Sequence, residues 1–138
     1  RNPIAVQVGG ASGVLITPDE FSRRIAFEDV STAGAFMVFG PDRDMFEVAR
    51  NFAHFFAHES CGFCTPCRVG TTVQRDIMDK IAAGIEPEKN LALVKDLSNT
   101  MKFGSLCALG GFTPYPVMSA INHFPDDFRP AATLQAAE

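Results

Sequence analysis

Every thiol in this 138-residue chain belongs to one set: Cys61, Cys64 and Cys67 inside ESCGFCTPCRVG, and Cys107 far downstream inside FGSLCALGG. Two residues between each of the first three cysteines is the run that wraps three corners of an iron–sulfur cube, with a remote cysteine closing the fourth. Each iron of a cubane takes one terminal thiolate, and Gly62 and Pro66 let a short loop turn its sulfurs inward around one cluster. The leading expectation is a [4Fe-4S] electron-transfer site ligated by Cys61, Cys64, Cys67 and Cys107. A zinc-stabilised four-cysteine interaction module without a redox role is the alternative, although structural zinc usually pairs two short knuckles and here a tight triplet faces one distant cysteine. A disulfide framework fits poorly, because a chain of this length builds a core without staples. Neither short cysteine pair opens a βαβ unit, so a thioredoxin-like dithiol is weaker still.

Other polar residues are weighed against the same site. Arg68 directly follows a cysteine near an expected helix start, where its charge would favour a reduced, more anionic cluster; a plain surface salt bridge is the competing role. His54 and His58 are four apart on an expected helix, but Phe55 stands where a zinc-protease motif needs glutamate, so they read as a polar-face pair. His123 reads as a residue suited to a helix C-terminus. GGASG lacks both the dinucleotide and the P-loop spacing and reads as a hairpin turn needing positive φ. Phe63 and Phe103 are placed in sequence to exclude water from the cysteines, with plain core packing as the competing role.

Two kinds of element must position these residues. From Arg1 to Arg43, Ile4, Val6 and Val8 alternate with smaller or polar residues, and Val14-Leu15-Ile16 and Phe36-Met37-Val38-Phe39 make two more short apolar runs, predicting three strands. Thr17-Pro18-Asp19-Glu20 has the form of a capped helical turn. From Asp44 the period turns helical. One helix capped by Asp44 and Glu47 buries Met45, Ala49, Phe52 and Phe56 and delivers the chain to Cys61. A second starts near Cys67, turns Val69, Val73, Ile77 and Ile81 inward and stops at Gly84. A third runs from Pro87 through Leu91, Val94, Leu97 and Met101 to Gly104, leaving Cys107 in the next loop. A fourth starts at Thr113-Pro114, presents Val117, Ile121 and Phe124 and ends at Pro125. Short connections imply an antiparallel four-helix bundle that brings Cys107 back beside Cys67, with the second helix's N-terminus facing the site. The expected class is α+β: residues 1–43 a strand-rich segment, 44–138 a four-helix domain carrying the cluster, with a tail after Arg129 that frays.

Composition narrows the function classes. The net charge is -4, hydrophobic residues make up 46%, the pI is about 5.3 and the mean hydropathy +0.07. No basic stripe alternates with aromatics, so nucleic acid is not an expected partner. Apolar runs such as AGAFMVFG are too short to insert in a membrane, and no basic-then-apolar signal opens the chain, so a soluble, cytoplasmic location is expected, at most peripheral on a membrane complex. Opening at Arg1 in mid-strand suggests a piece of a longer protein.

ESCGFCTPCRVG, CALGG and YPVMSAINHFPDDF resemble the C-terminal region of the NADH-binding flavoprotein subunit of respiratory complex I. The same subunit type serves as the diaphorase of NAD-reducing hydrogenases and NAD-linked formate dehydrogenases. VQVGGASGVLIT and FEDVSTAGAFMVFG extend the resemblance to that family's ubiquitin-like β-grasp segment, so residues 1–43 are expected to be a partial β-grasp unit. The resemblance places the family's cluster ligands on Cys61, Cys64, Cys67 and Cys107. It implies that the cluster receives electrons one at a time from an FMN that has taken hydride from NADH, and passes them to iron–sulfur centres of partner subunits. By the same resemblance the FMN- and NADH-binding domain precedes Arg1. The chain departs from the family's common pattern at Phe63, Val69 and Ala108, and none of these removes a ligand.

Overall fold

Apolar residues alternating with small ones fold the N-terminal segment into three short strands, β1 (Ala5–Val8), β2 (Val14–Ile16) and β3 (Phe36–Phe39). This computed structural model describes residues 2–128; Arg1 and the tail expected to fray lie outside the described residues. The sheet is antiparallel throughout in the order β2-β1-β3, with Val8 opposite Val14 and Ala5 opposite Phe39. GGASG is the expected hairpin turn: Gly9 and Gly10 take φ of +97° and +74°, a region that favours glycine. The fully buried Gln7 amide braces it, donating to the carbonyls of Gly10 (3.1 Å) and Gly13 (2.9 Å). Pro18–Glu20 forms the short capped turn expected there, with the Glu20 carboxylate accepting from the Thr17 N–H.

Four long helices and one short one follow: α1 (Met45–Glu59), α2 (Thr65–Ala82), α3 (Pro87–Gly104), α4 (Ala108–Phe112) and α5 (Pro114–His123). The fold is therefore α+β, and the expected bundle carries an additional five-residue helix directly after Cys107. Asp44 caps α1 by accepting from the N–H groups of Phe46 (2.8 Å) and Glu47 (3.2 Å). Glu47 pairs with Arg50 at 3.1 Å. Met45, Ala49, Phe52 and Phe56 are buried as expected.

The inward face of α2 differs from the expected one. Cys67, Gly70, Thr71, Gln74, Ile77, Met78 and Ile81 are buried, while Val69 is 48% exposed. Residues spaced by four drift about 40° around a helix at each step, so a row that begins at Val69 has left the face of Ile81 three steps later. α2 also begins two residues before Cys67, at Thr65 with Cys64 as its N-cap, and the buried Cys67 sets the phase. A Cβ on Gly70 would come within 2.6 Å of Met101 Cγ, so glycine is what lets α3 approach α2 closely at the cysteine end.

One hydrophobic core joins sheet and helices. Ala5 and Leu15 pack with Met45, Ala49, Ala53, Ile77, Met78, Ile81, Val94, Val117, Ala120 and Ile121. The Leu15 N–H also donates to Ser119 Oγ of α5 at 3.2 Å. Between α1 and α2, Asp79 of α2 binds both Arg50 and His54 of α1 at 2.8 Å. His54 thus points to Asp79, and His58 to Glu59 at 3.0 Å. His123, at the end of α5, contacts Glu20 at 3.3 Å, a partner that its helix position alone did not indicate.

Candidate metal centre

Two connections meet at one end of the bundle. α1 ends at Glu59, its Ser60 N–H still bonded to the Phe56 carbonyl at 3.1 Å. The loop that follows carries Cys61, turns at Gly62 with φ +75°, and enters α2 at Thr65, placing Cys64 at the N-cap and Cys67 in the first turn. α3 runs back to Gly104, and the loop after it holds Cys107 immediately before α4. All four cysteines line a single cavity of about 410 Å³, together with Glu59, Phe63, Leu106 and Leu109. They are free thiols, with Cys67 buried, Cys64 half-buried, and Cys61 and Cys107 exposed.

The cysteines differ in electrostatic setting. Backbone N–H groups of Leu106 and Cys67 hydrogen-bond the Cys64 sulfur and hold its thiol below the ordinary cysteine value, with the Arg68 charge adding a smaller pull. Burial pushes the Cys67 thiol up; the Ser60 hydroxyl works against this, while Cys64, Cys107 and Cys61 push it further up. The Cys67 N–H, in the first turn of α2, thus faces the site, where a helix N-terminus favours an anionic group.

Arg68 folds back over the loop. Its guanidinium donates to the Gly62 carbonyl at 2.8 Å and reaches the Phe63 carbonyl at 3.5 Å and Thr65 Oγ1 at 3.4 Å. Pro66, in the first turn of α2, stands 3.2 Å from where a Cβ of Gly104 would lie, so it abuts the end of α3. Phe63 lines the cavity but is itself 81% exposed, so it does not seal the cysteines from water, and Phe103 does not line the cavity at all. Phe103 follows Met101 by two residues, roughly 200° around α3, which turns it to solvent at 81% exposure.

Sequence reasoning missed several neighbours. Ser60 Oγ lies 3.3 Å from Cys67 Sγ. Ser105 Oγ is buried and has no hydrogen-bond partner among the described residues. Gly110 is wedged between Ser105 and Cys67, where a Cβ would fall 2.4 Å from Ser105 Oγ and 2.7 Å from Cys67 Cβ. Position beside a cysteine motif, ESC for Ser60 and CALGG for Gly110, was the available signal.

The donor set suits an iron–sulfur group. Four thiols around a shared cavity can each take a different iron.

Comparison with known proteins agrees. Residues 47–131 match the family model of the NADH-ubiquinone oxidoreductase-F iron-sulfur binding region. The chain belongs to this family. An iron–sulfur cluster is thus the cofactor of this region, and the family is named for the 4Fe-4S type. Among relatives, the chain is 34% identical over 136 residues to the NAD-reducing hydrogenase HoxS subunit alpha of Cupriavidus necator, covering 94% of this chain and 22% of that protein. It is 32% identical over 130 residues to the mitochondrial NADH-ubiquinone oxidoreductase 51 kDa subunit of Neurospora crassa, covering 89% and 26%. A crystal structure of an H2-reduced NAD+-reducing [NiFe]-hydrogenase superposes with a TM-score of 0.87 at 41% identity, covering 92% of this chain and 23% of that one. The family member described here thus spans about a quarter of the length of these relatives. No helix among the described residues is long and apolar enough to cross a membrane.

Proposed function

We propose that this chain is the electron-relay part of an NADH:acceptor oxidoreductase flavoprotein subunit, holding a [4Fe-4S] cluster on Cys61, Cys64, Cys67 and Cys107. The observation that carries this reading is the convergence of all four cysteines, from two loops 40 or more residues apart, on one cavity at one end of the bundle. Residues 1–43 are the end of a β-grasp segment and 44–138 the iron–sulfur domain. Bound there, the cluster supplies one-electron chemistry: electrons arrive singly from FMN reduced by NADH, both held by another part of the parent protein, and leave to iron–sulfur centres of partner subunits. Such a complex would work in the cytoplasm or peripherally on the cytoplasmic membrane face. Gly62 shapes the loop, Pro66 starts α2 against α3, and Arg68 ties the loop carbonyls together beside the site.

Anaerobic reconstitution of the chain with iron and sulfide tests this. About four irons and four sulfides per chain are expected, with a broad visible absorption that bleaches on dithionite. Cys→Ala changes at any of the four positions should cut iron content and soluble yield, because metal binding and folding are coupled. A colourless protein that takes one zinc, or full iron occupancy in Cys107→Ala, would overturn the four-thiolate assignment.

A further inference from the structure

We propose that the Ser60 hydroxyl is a positioning residue that raises the reduction potential of this centre by donating a hydrogen bond to the Cys67 sulfur. The inference rests on the iron–sulfur reading above and adds a residue outside the cysteine motif. Ser60 Oγ lies 3.3 Å from Cys67 Sγ, and the Gly62 N–H donates to the same hydroxyl at 3.3 Å. With Gly62 using an acceptor site of the oxygen, the hydroxyl proton remains for the sulfur. Between two neutral groups either atom can be the donor. A metal-bound thiolate carries no proton, so the direction becomes fixed and Ser60 must donate.

Cys67 is the cysteine for which this matters most. At 4% exposure it is the buried member of the set, whereas Cys61 and Cys107 are exposed. A charge-assisted bond in a partly desolvated place is stronger than one in water. Reduction adds one electron, taken from the reductant, and makes or breaks no bond; the thiolate sulfurs carry part of the added negative charge. The Ser60 bond therefore strengthens on reduction and favours the reduced form. The loop geometry makes this specific: Ser60 is the C-cap of α1 and Cys67 lies in the first turn of α2, so the hydroxyl is held by two helix ends.

The test is a redox titration, followed by electron paramagnetic resonance, of the full chain after anaerobic reconstitution, comparing wild type with Ser60→Ala and Ser60→Thr. Ser60→Ala should load iron and sulfide as wild type does and shift the one-electron equilibrium about tenfold toward the oxidised form, ~59 mV lower in midpoint. Ser60→Thr keeps the donor and should return the potential to the wild-type value. An unchanged midpoint in Ser60→Ala overturns the proposal, and so does a Ser60→Ala chain that binds no cluster, since that assigns the hydroxyl to building the loop. Failure of wild type itself to take up iron and sulfide would instead overturn the iron–sulfur reading on which the proposal stands.

Discussion

Arg68 adjoins a cysteine, yet its guanidinium points to the loop backbone, with Gly62 O at 2.8 Å, rather than to Glu59. Its charge is therefore left beside the site and is not neutralised by that neighbouring carboxylate. A unit charge near a partly desolvated centre is worth on the order of 1 kcal/mol, which in a one-electron couple is on the order of tens of millivolts. Removing a cation destabilises the more negative, reduced form, so Arg68→Gln should lower the midpoint potential by that amount with iron content unchanged. Because Arg68 is exposed, the difference from wild type should shrink as ionic strength rises. Titrations at two salt concentrations check both points; a midpoint that does not move means water screens the charge completely.

Helix contacts set how tightly the cysteine end closes. Gly110 of α4 touches Cys67 of α2 and Ser105 at the end of α3, with no room for a methyl group. Gly110→Ala should destabilise the chain by about 1–3 kcal/mol through overpacking and lower cluster retention, both readable from thermal unfolding and iron analysis. Wild-type stability in that variant would mean that α4 shifts away at no cost. What the sequence made legible here was local: cysteine spacing, the alternation of Val6 and Val8, the helical recurrence of Met45, Ala49, Phe52 and Phe56, and the prolines and glycines that begin and end α3. What it left hidden depends on neighbours distant in the chain. Val69 looked buried by hydrophobicity but is turned out by the phase of α2, and Phe63 and Phe103 looked like lids but both face solvent. Ser105 and Gly110 gain meaning only once α3 and α4 fold over Cys67.

At the scale of the whole molecule, sheet and bundle share a core through Ala5 and Leu15, and the Leu15–Ser119 hydrogen bond ties β2 to α5. A bound cluster would add a second tie at the cysteine end of the helices, holding the loop after α1 to the loop after α3. Since only the folded chain brings its four thiols together, loading stabilises it by mass action. Thermal unfolding of the loaded chain should therefore be one cooperative event, with loss of far-ultraviolet circular dichroism coinciding with loss of the cluster's visible absorption, and a midpoint above that of the iron-free chain. Two separated transitions would show that the sheet melts independently of the site.

The split of the cysteines between two loops also has a consequence in time. Cys61, Cys64 and Cys67 leave the ribosome before α3 exists, and Cys107 follows Cys67 by about 40 residues, roughly 2–8 s later at ordinary rates of synthesis. During that interval the nascent chain offers three thiols without the fourth. A cluster delivered then would meet an open corner, whereas one delivered after the α2–α3 hairpin has closed meets a finished site, so the order of translation favours late loading.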